Sequence, residues 1–317
     1  VKRWKKNLLA LLIAPLLLVL GEVGLRLLVP PPNPLQNIML DIVGTREGFR
    51  AIYDERLFWR LPERKVPFQE PAARRALKVV CLADSVGAIP QEGNYPDQLG
   101  EILDQRLGRK GGVAVFNTSV PGYTSLQGRR LFSERIVQYG PDVVVIDYGW
   151  NDHWQSGNGI PDKLQRPLPA WMVKLLERSY LAGWLHTELQ RRKQEDYQDV
   201  GPPETARVSP QDYVHNLETI VSVARQRGMM VILSTAPYLE RGQHWLAVHR
   251  QYNELSRQVA AREGVYLLDL VSTFRARPEL FAEPDQDQVH IGRRGARLVA
   301  QGLAEIILRH YREKRGE

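Results

Sequence analysis

Four short segments of this chain carry residues whose types and spacing suit nucleophilic catalysis. Ser85 follows the apolar run Leu77-Lys78-Val79-Val80-Cys81-Leu82-Ala83, with Asp84 between them. Gly122 lies in Asn117-Thr118-Ser119-Val120-Pro121-Gly122-Tyr123, and Asn151 in Tyr148-Gly149-Trp150-Asn151-Asp152-His153. The fourth segment is Asp285-Gln286-Asp287-Gln288-Val289-His290. A serine hydroxyl is a weak nucleophile until a base takes its proton, and a histidine held by a carboxylate is the usual base. Asp287 and His290, three residues apart, can supply that pair. A developing oxyanion needs donors already in place. The backbone N–H groups of Ser85 and Gly122 and the side-chain amide of Asn151 are the natural candidates.

These segments need elements that bring them together. Apolar, β-rich runs occur at Leu77–Leu82, Val113–Phe116, Val143–Tyr148, Met230–Ser234 and Val265–Leu270. Helix-period segments lie at Tyr95–Leu107, Ser125–Tyr139, Pro210–Arg227, Trp245–Glu263 and Arg293–Tyr311. Such alternation predicts an α/β fold with a parallel sheet of about five strands and helices on both faces. In a parallel sheet all strand ends lie on one edge, where ligands bind. Ser85, Gly122 and Asn151 follow the first three strands, and His290 precedes the last helix. The rhythm breaks over residues 153–208, an insertion with an expected helix at Ala170–Arg192 and a polar linker at Gln194–Pro203. It carries Trp154, Trp171, Tyr180 and Trp184. Such an insertion reads equally as a substrate wall or lid and as plain packing.

The four blocks, Ser85, Gly122, Asn151 and Asp287-x-x-His290, resemble those of the SGNH/GDSL hydrolase family. The resemblance covers about Leu77–Tyr311. It implies a flavodoxin-like three-layer α/β/α fold and ester hydrolysis through an acyl-enzyme. It also implies Ser85, Asp287 and His290 as catalytic residues and Ser85, Gly122 and Asn151 as the oxyanion hole. One block departs from the family pattern: Gly-Asp-Ser is replaced by Ala83-Asp84-Ser85, adding a methyl at a tight turn. The α/β-hydrolase elbow, Ser then Asp then His, is a rival. It is disfavoured because several strands precede the serine in that fold, and its acid and histidine sit on separate loops.

Other polar residues have plainer readings. Asp84 is expected to tie down the nucleophile turn, and Asp84, His153 and Trp154 are candidates for the substrate pocket. His244 and His249 are five apart, not the four that puts two ligands on one helix face, and read as surface residues. Asp147 and Asp269 read as turn or cap residues. No metal cluster, phosphate loop or dinucleotide motif is present, so no cofactor is expected.

The first 29 residues speak to address. Lys2, Arg3, Lys5 and Lys6 precede the run from Leu8 to Val29, 22 residues interrupted mainly by Pro15, Glu22 and Arg26. About 20 apolar residues cross a bilayer, and a basic leading flank stays cytoplasmic. The expectation is a single-pass, uncleaved inner-membrane anchor with the body on the periplasmic or extracytoplasmic side. A cleaved signal peptide is disfavoured, since no Ala-x-Ala site is present. Pro30–Pro34 reads as a stiff spacer, and residues 35–76 as an extended arm docked by Tyr53, Phe58 and Trp59. Three parts follow: anchor 1–29, spacer and arm 30–76, catalytic domain 77–317. The net charge of +7 comes with basic clusters at both ends and no basic stripe interleaved with aromatics, against nucleic-acid binding. Cys81, the single cysteine, sits inside the first strand as a small hydrophobe.

The expected function is serine-dependent hydrolysis of an acyl or acetyl ester, with an O-acylated glycan or a lipid as partner classes. Two rivals remain: an O-acyltransferase acting on an envelope or secreted polysaccharide, and a non-catalytic glycan-binding module.

Overall fold

A computed structural model of the chain describes residues 2–29, 51–62, 65–70, 76–88, 93–108, 111–157, 159–166, 168–191 and 205–316. The proline spacer and the polar linker of the insertion lie outside these residues.

Seven strands are described. β1 (Ile52–Asp54) and β2 (Phe58–Arg60) form a small antiparallel hairpin, and β3 (Leu77–Ala83), β4 (Val113–Asn117), β5 (Val143–Asp147), β6 (Met230–Ser234) and β7 (Tyr266–Leu268) form a parallel sheet. Its spatial order is β4-β3-β5-β6-β7, the doubly wound order expected. β3 is an interior strand buried on both faces, which is why its sequence reads as a near-continuous apolar run. Its side chains alternate between two cores. Val80 and Leu82 join Val144 and Ile146 on one face; Val79, Cys81 and Ala83 join Val143 and Val145 on the other.

Helices α3 (Tyr95–Leu107) and α9 (Arg293–Arg315) cover the second face through Leu99, Leu103, Val299 and Leu303. α4 (Ser125–Leu131), α7 (Pro210–Arg225) and α8 (Leu246–Glu263) cover the first through Leu126, Leu217, Ile220 and Val259. Three layers result. The single helix expected over Ser125–Tyr139 ends at Leu131 and continues as a π-helical turn, Phe132–Ile136, and a 3-10 turn, Val137–Tyr139.

The arm is not a featureless strap. Leu57, Phe58 and Trp59 are buried in the core of the first face. The Trp59 indole donates to the Pro121 carbonyl at 3.2 Å, and the Tyr123 hydroxyl donates to the Trp59 carbonyl at 2.6 Å. The hairpin therefore props the loop that carries Gly122.

The insertion is tied shut at its base. Arg207 N donates to Trp154 O (2.8 Å) and Val208 N to Asp152 O (3.0 Å). Its expected helix is two, α5 (Ala170–Arg178) and α6 (Tyr180–Arg191). Ser179 makes the break: its backbone is extended, and its hydroxyl accepts from Ala182 N at 3.1 Å.

The expected membrane-spanning segment lies in α1 (Lys2–Leu28). Among the described residues no helix is long and apolar enough to cross a membrane. The described side chains of α1 begin at Ile13. Among them, Glu22 and Arg26 bond to each other and to residues at the α5–α6 junction.

Candidate active site

The strand order reverses between β3 and β5, and the site is built at that reversal. Ala83 pairs with Asp147 in the sheet, so Ser85 and Asn151 leave adjacent strands on the same edge. β3 passes through Asp84 into the short helix α2 (Ser85–Ala88). Asp84 Oδ1 accepts from Val86 N at 2.9 Å, which closes the turn and presents Ser85. Gly87 is required here. A Cβ on it would meet Ser119 Oγ and come within 2.9 Å of the Ala83 methyl. The methyl that replaces the family glycine is thus housed against a residue with no side chain.

Ser85, His290 and Asp287 form a continuous relay. His290 Nε2 lies 2.9 Å from Ser85 Oγ, and His290 Nδ1 lies 2.5 Å from Asp287 Oδ2. Asp287 Oδ1 accepts from Val289 N (2.8 Å) and His290 N (3.1 Å), so carboxylate and imidazole are locked in one turn. Burial pushes the Asp287 carboxyl up, but the His290 hydrogen bond, its charge and the two backbone donors outweigh this and hold it below the usual range. An ionised Asp287 keeps the proton on Nδ1 and leaves Nε2 free to accept from the serine. Asp285, two residues before Asp287, is exposed and pairs with Arg241 at 3.1 Å.

The oxyanion candidates converge less simply. Gly122 has φ of 78°, a conformation that favours glycine. No acceptor for the backbone N–H of Ser85 or Gly122 occurs among the described residues. Asn151 Nδ2, in contrast, donates to Asp84 Oδ2 (3.2 Å) and to Tyr123 O (3.1 Å). Both bonds are long, and serving an oxyanion means exchanging or sharing one of them.

Asp84 acts from beneath. It is buried, and burial, outweighing the Val86 N–H, the His290 charge and the Asn151 amide, pushes its carboxyl up to about 6. Asp147, expected as a turn residue, is also buried; burial first and the Asp84 charge second push it up to about 8. Asp269 matches its expected role, accepting from Val271 N at 3.2 Å at the end of β7.

Among the described residues the small cleft at Ser85 and His290 is lined by Val86, Gly93, Asn94, Ile291 and Ala296. His153 is buried and lies 3.0 Å from His249 Nδ1 through its Nε2. His249, expected at the surface, is fully buried and stacks on Trp150 with ring centroids 3.7 Å apart. Its Nε2 faces Ala236 O at 3.0 Å, so Nε2 carries the proton and the bare Nδ1 accepts from His153. Burial drives both imidazoles down, His249 to about 3. The pair supports the Asn151 loop as neutral packing. Trp154 stacks on Trp150 beside it.

One supporting pair was not anticipated. Arg207 is 1% exposed, and Asp162 is fully buried. Arg207 contacts the Asp162 carboxylate at 2.9 and 3.2 Å and donates from Nη1 to the Gly122 carbonyl at 2.8 Å. Both residues belong to the insertion, whose base therefore braces the oxyanion loop. Asp152 does likewise on the other side, accepting from Ser125 N (2.9 Å) and Ser125 Oγ (2.5 Å).

A larger cavity of about 660 Å³ lies between the hairpin and the loop after β4, lined by Arg60, Asn117, Tyr123 and Arg135 among others. It contains none of the relay residues, so chemistry rather than volume marks the site. Among the described residues no group of three or more His, Cys, Asp or Glu side chains is placed to hold a metal ion.

The chain is similar to several known proteins. The GDSL-like Lipase/Acylhydrolase family matches residues 82–298. A curated arylesterase of Vibrio mimicus is 30% identical over 111 residues, 34% of this chain and 52% of that protein, so the chain spans about half the length of the curated relative it matches. Among solved structures, a lipase/acylhydrolase from Enterococcus faecalis is similar at 18% identity and TM-score 0.47, covering 73% of this chain and 94% of that one. The acetylxylan esterase Axe2 of Geobacillus stearothermophilus is similar at 18% identity and TM-score 0.48, with the same coverages of 73% and 94%.

Proposed function

The chain belongs to the GDSL-like lipase/acylhydrolase family, and from that premise we propose that it is a serine esterase working through an acyl-enzyme on short acyl esters. The observation that carries this reading is the unbroken relay from Ser85 Oγ through His290 to Asp287. His290 Nε2 takes the hydroxyl proton as Ser85 Oγ bonds to the ester carbonyl carbon. The carbonyl oxygen becomes an oxyanion, received by the Ser85 and Gly122 N–H groups, with Asn151 released toward it. The tetrahedral centre collapses, the ester C–O bond breaks, and His290 passes its proton to the departing alkoxide. Water, deprotonated by the same imidazole, then frees the acyl group.

The short-acyl element rests on the cleft. Val86, Gly93, Asn94, Ile291 and Ala296 crowd it beside Ser85 and His290. The test is turnover of p-nitrophenyl acetate, butyrate and octanoate by the parent and by Ser85→Ala. The proposal expects activity that falls with chain length and disappears in the variant. Faster turnover of octanoate removes the short-acyl element; turnover surviving Ser85→Ala removes the esterase reading.

For location, we propose attachment to a membrane through residues 8–29, with the catalytic domain on the extracytoplasmic side. The basic cluster ahead of the apolar run supports this orientation. Recovery of the full chain in the wash after alkaline extraction of membranes would contradict it.

A further inference from the structure

Helix α1 and the inserted helices form one unit. Glu22 Oε1 accepts from Tyr180 N (3.0 Å), and Oε2 accepts from Leu181 N (2.9 Å) and Ser179 Oγ (2.9 Å). The first N–H groups of α6 are thus capped by a carboxylate more than 150 positions earlier in the chain. Arg26 completes the clamp, donating to the Arg178 carbonyl at 2.7 Å and lying 4.8 Å over the Tyr180 ring. Gly21 lies against α6: a Cβ there would make ordinary contact with the Leu181 side chain, at 3.7 Å.

Beyond this clamp both partners expose apolar surface. Every residue from Ile13 to Leu20 is exposed, more than two turns apolar around the whole circumference. On α5 and α6, Trp171, Leu175, Trp184, Leu185 and Leu189 are exposed, Trp171 at 63%. A groove on a protein partner covers one stripe of a helix, whereas lipid covers all sides. Lys2, Arg3, Lys5 and Lys6 at the leading end suit anionic headgroups, and tryptophans on a neighbouring apolar face suit the headgroup boundary.

We propose that α5 and α6 lie on the lipid surface beside α1, held there by Glu22, so that the insertion is a second foot of the catalytic domain on the membrane. This rests on the attachment proposed above but goes beyond it, since attachment through α1 alone leaves α5 and α6 in water.

The test uses the full chain reconstituted in vesicles of phosphatidylcholine and phosphatidylglycerol. Cys81 is fully buried, so an environment-sensitive fluorophore can be placed on Leu175→Cys, Leu185→Cys or the control Arg227→Cys. Arg227 enters β6 at the opposite edge of the sheet. Retained p-nitrophenyl acetate turnover reports that each labelled protein is folded. The expected result is a blue-shifted emission at 175 and 185, quenched roughly twofold by brominated lipid, with no change at 227. Glu22→Ala is expected to lose the quenching at 185 while keeping esterase turnover. Vesicle-bound protein with labels at 175 and 185 still in water overturns the second foot and leaves attachment standing. Failure to bind vesicles overturns attachment itself. A blue shift without lipid quenching that grows with protein density means a second copy covers this face, and also overturns the proposal. Quenching at 185 that survives Glu22→Ala overturns the clamp.

Discussion

His290 Nε2 stands 2.9 Å from Ser85 Oγ, although 205 positions separate the two residues. The parallel sheet makes this meeting possible: β3 delivers the serine to the same edge at which the chain, entering its last helix, delivers the histidine.

The first prediction concerns the far side of that imidazole. Asp287 accepts from His290 Nδ1 and from two backbone N–H groups, so it sets both tautomer and ring position. Asp287→Asn removes the charge and favours the wrong tautomer. It is expected to lower kcat by about 10³–10⁴ with little change in KM. Steady-state kinetics on p-nitrophenyl acetate read this, and a loss under tenfold would contradict it.

Asn151 is predicted to matter less than a preformed oxyanion donor, because its amide protons already face Asp84 and Tyr123. Asn151→Ala should lower kcat by about 10–10²-fold, at or below the low end for removal of such a donor. Comparing kcat with KM separates this from lost substrate affinity. A loss in KM alone would show that the amide binds substrate instead.

Arg207 is predicted to act through Gly122. Arg207→Met leaves Asp162 buried without its partner and should cost about 3–5 kcal/mol in stability. Replacing both, Asp162→Leu with Arg207→Met, should recover much of that stability, read by denaturant unfolding. It should not recover kcat, since the Gly122 carbonyl still lacks its donor. Full recovery of kcat in the double variant would reduce the pair to packing.

Buried neutral histidine gives a pH signature. His249 holds its proton loosely in the fold, near 3, against an ordinary value of 6.5. Between those values the unfolded chain binds a proton that the folded chain does not, so stability rises with pH across the window and is lost as pH falls from 6.5. His249→Gln keeps hydrogen-bonding capacity and removes the titration. Its stability should fall less steeply than the parent's between pH 6.5 and 4, by up to about 1.4 kcal/mol per pH unit. Equal slopes in urea unfolding would show that His249 is not the group.

Much of this was legible in the sequence. Leu77–Ala83 announces a doubly buried strand by composition, and Asp287-x-x-His290 announces an acid–base pair because a three-residue spacing in a turn brings carboxylate and imidazole together. Gly87 and Ala83 show the limit: their substitution pattern makes sense only when the two are seen in contact. Arg207 and Asp162 were illegible for a related reason. Each looks like an ordinary surface charge, and only tertiary pairing between the two ends of an insertion buries them. His249 was misread because a polar residue in an amphipathic helix is normally solvated, and nothing local announces that Trp150 will stack on it. The break at Ser179 was missed because apolar periodicity continues through it, while the cap that helps fix it comes from Glu22 on a distant helix.

The central claim is that Ser85 is the nucleophile activated by His290. Its most direct test is stoichiometric reaction with a fluorophosphonate, with the modified residue located by peptide mass spectrometry. The account predicts one adduct per chain, on Ser85, absent in Ser85→Ala and formed far more slowly in His290→Ala. An adduct on another serine, or an unmodified Ser85 in protein that turns over p-nitrophenyl acetate, would contradict it.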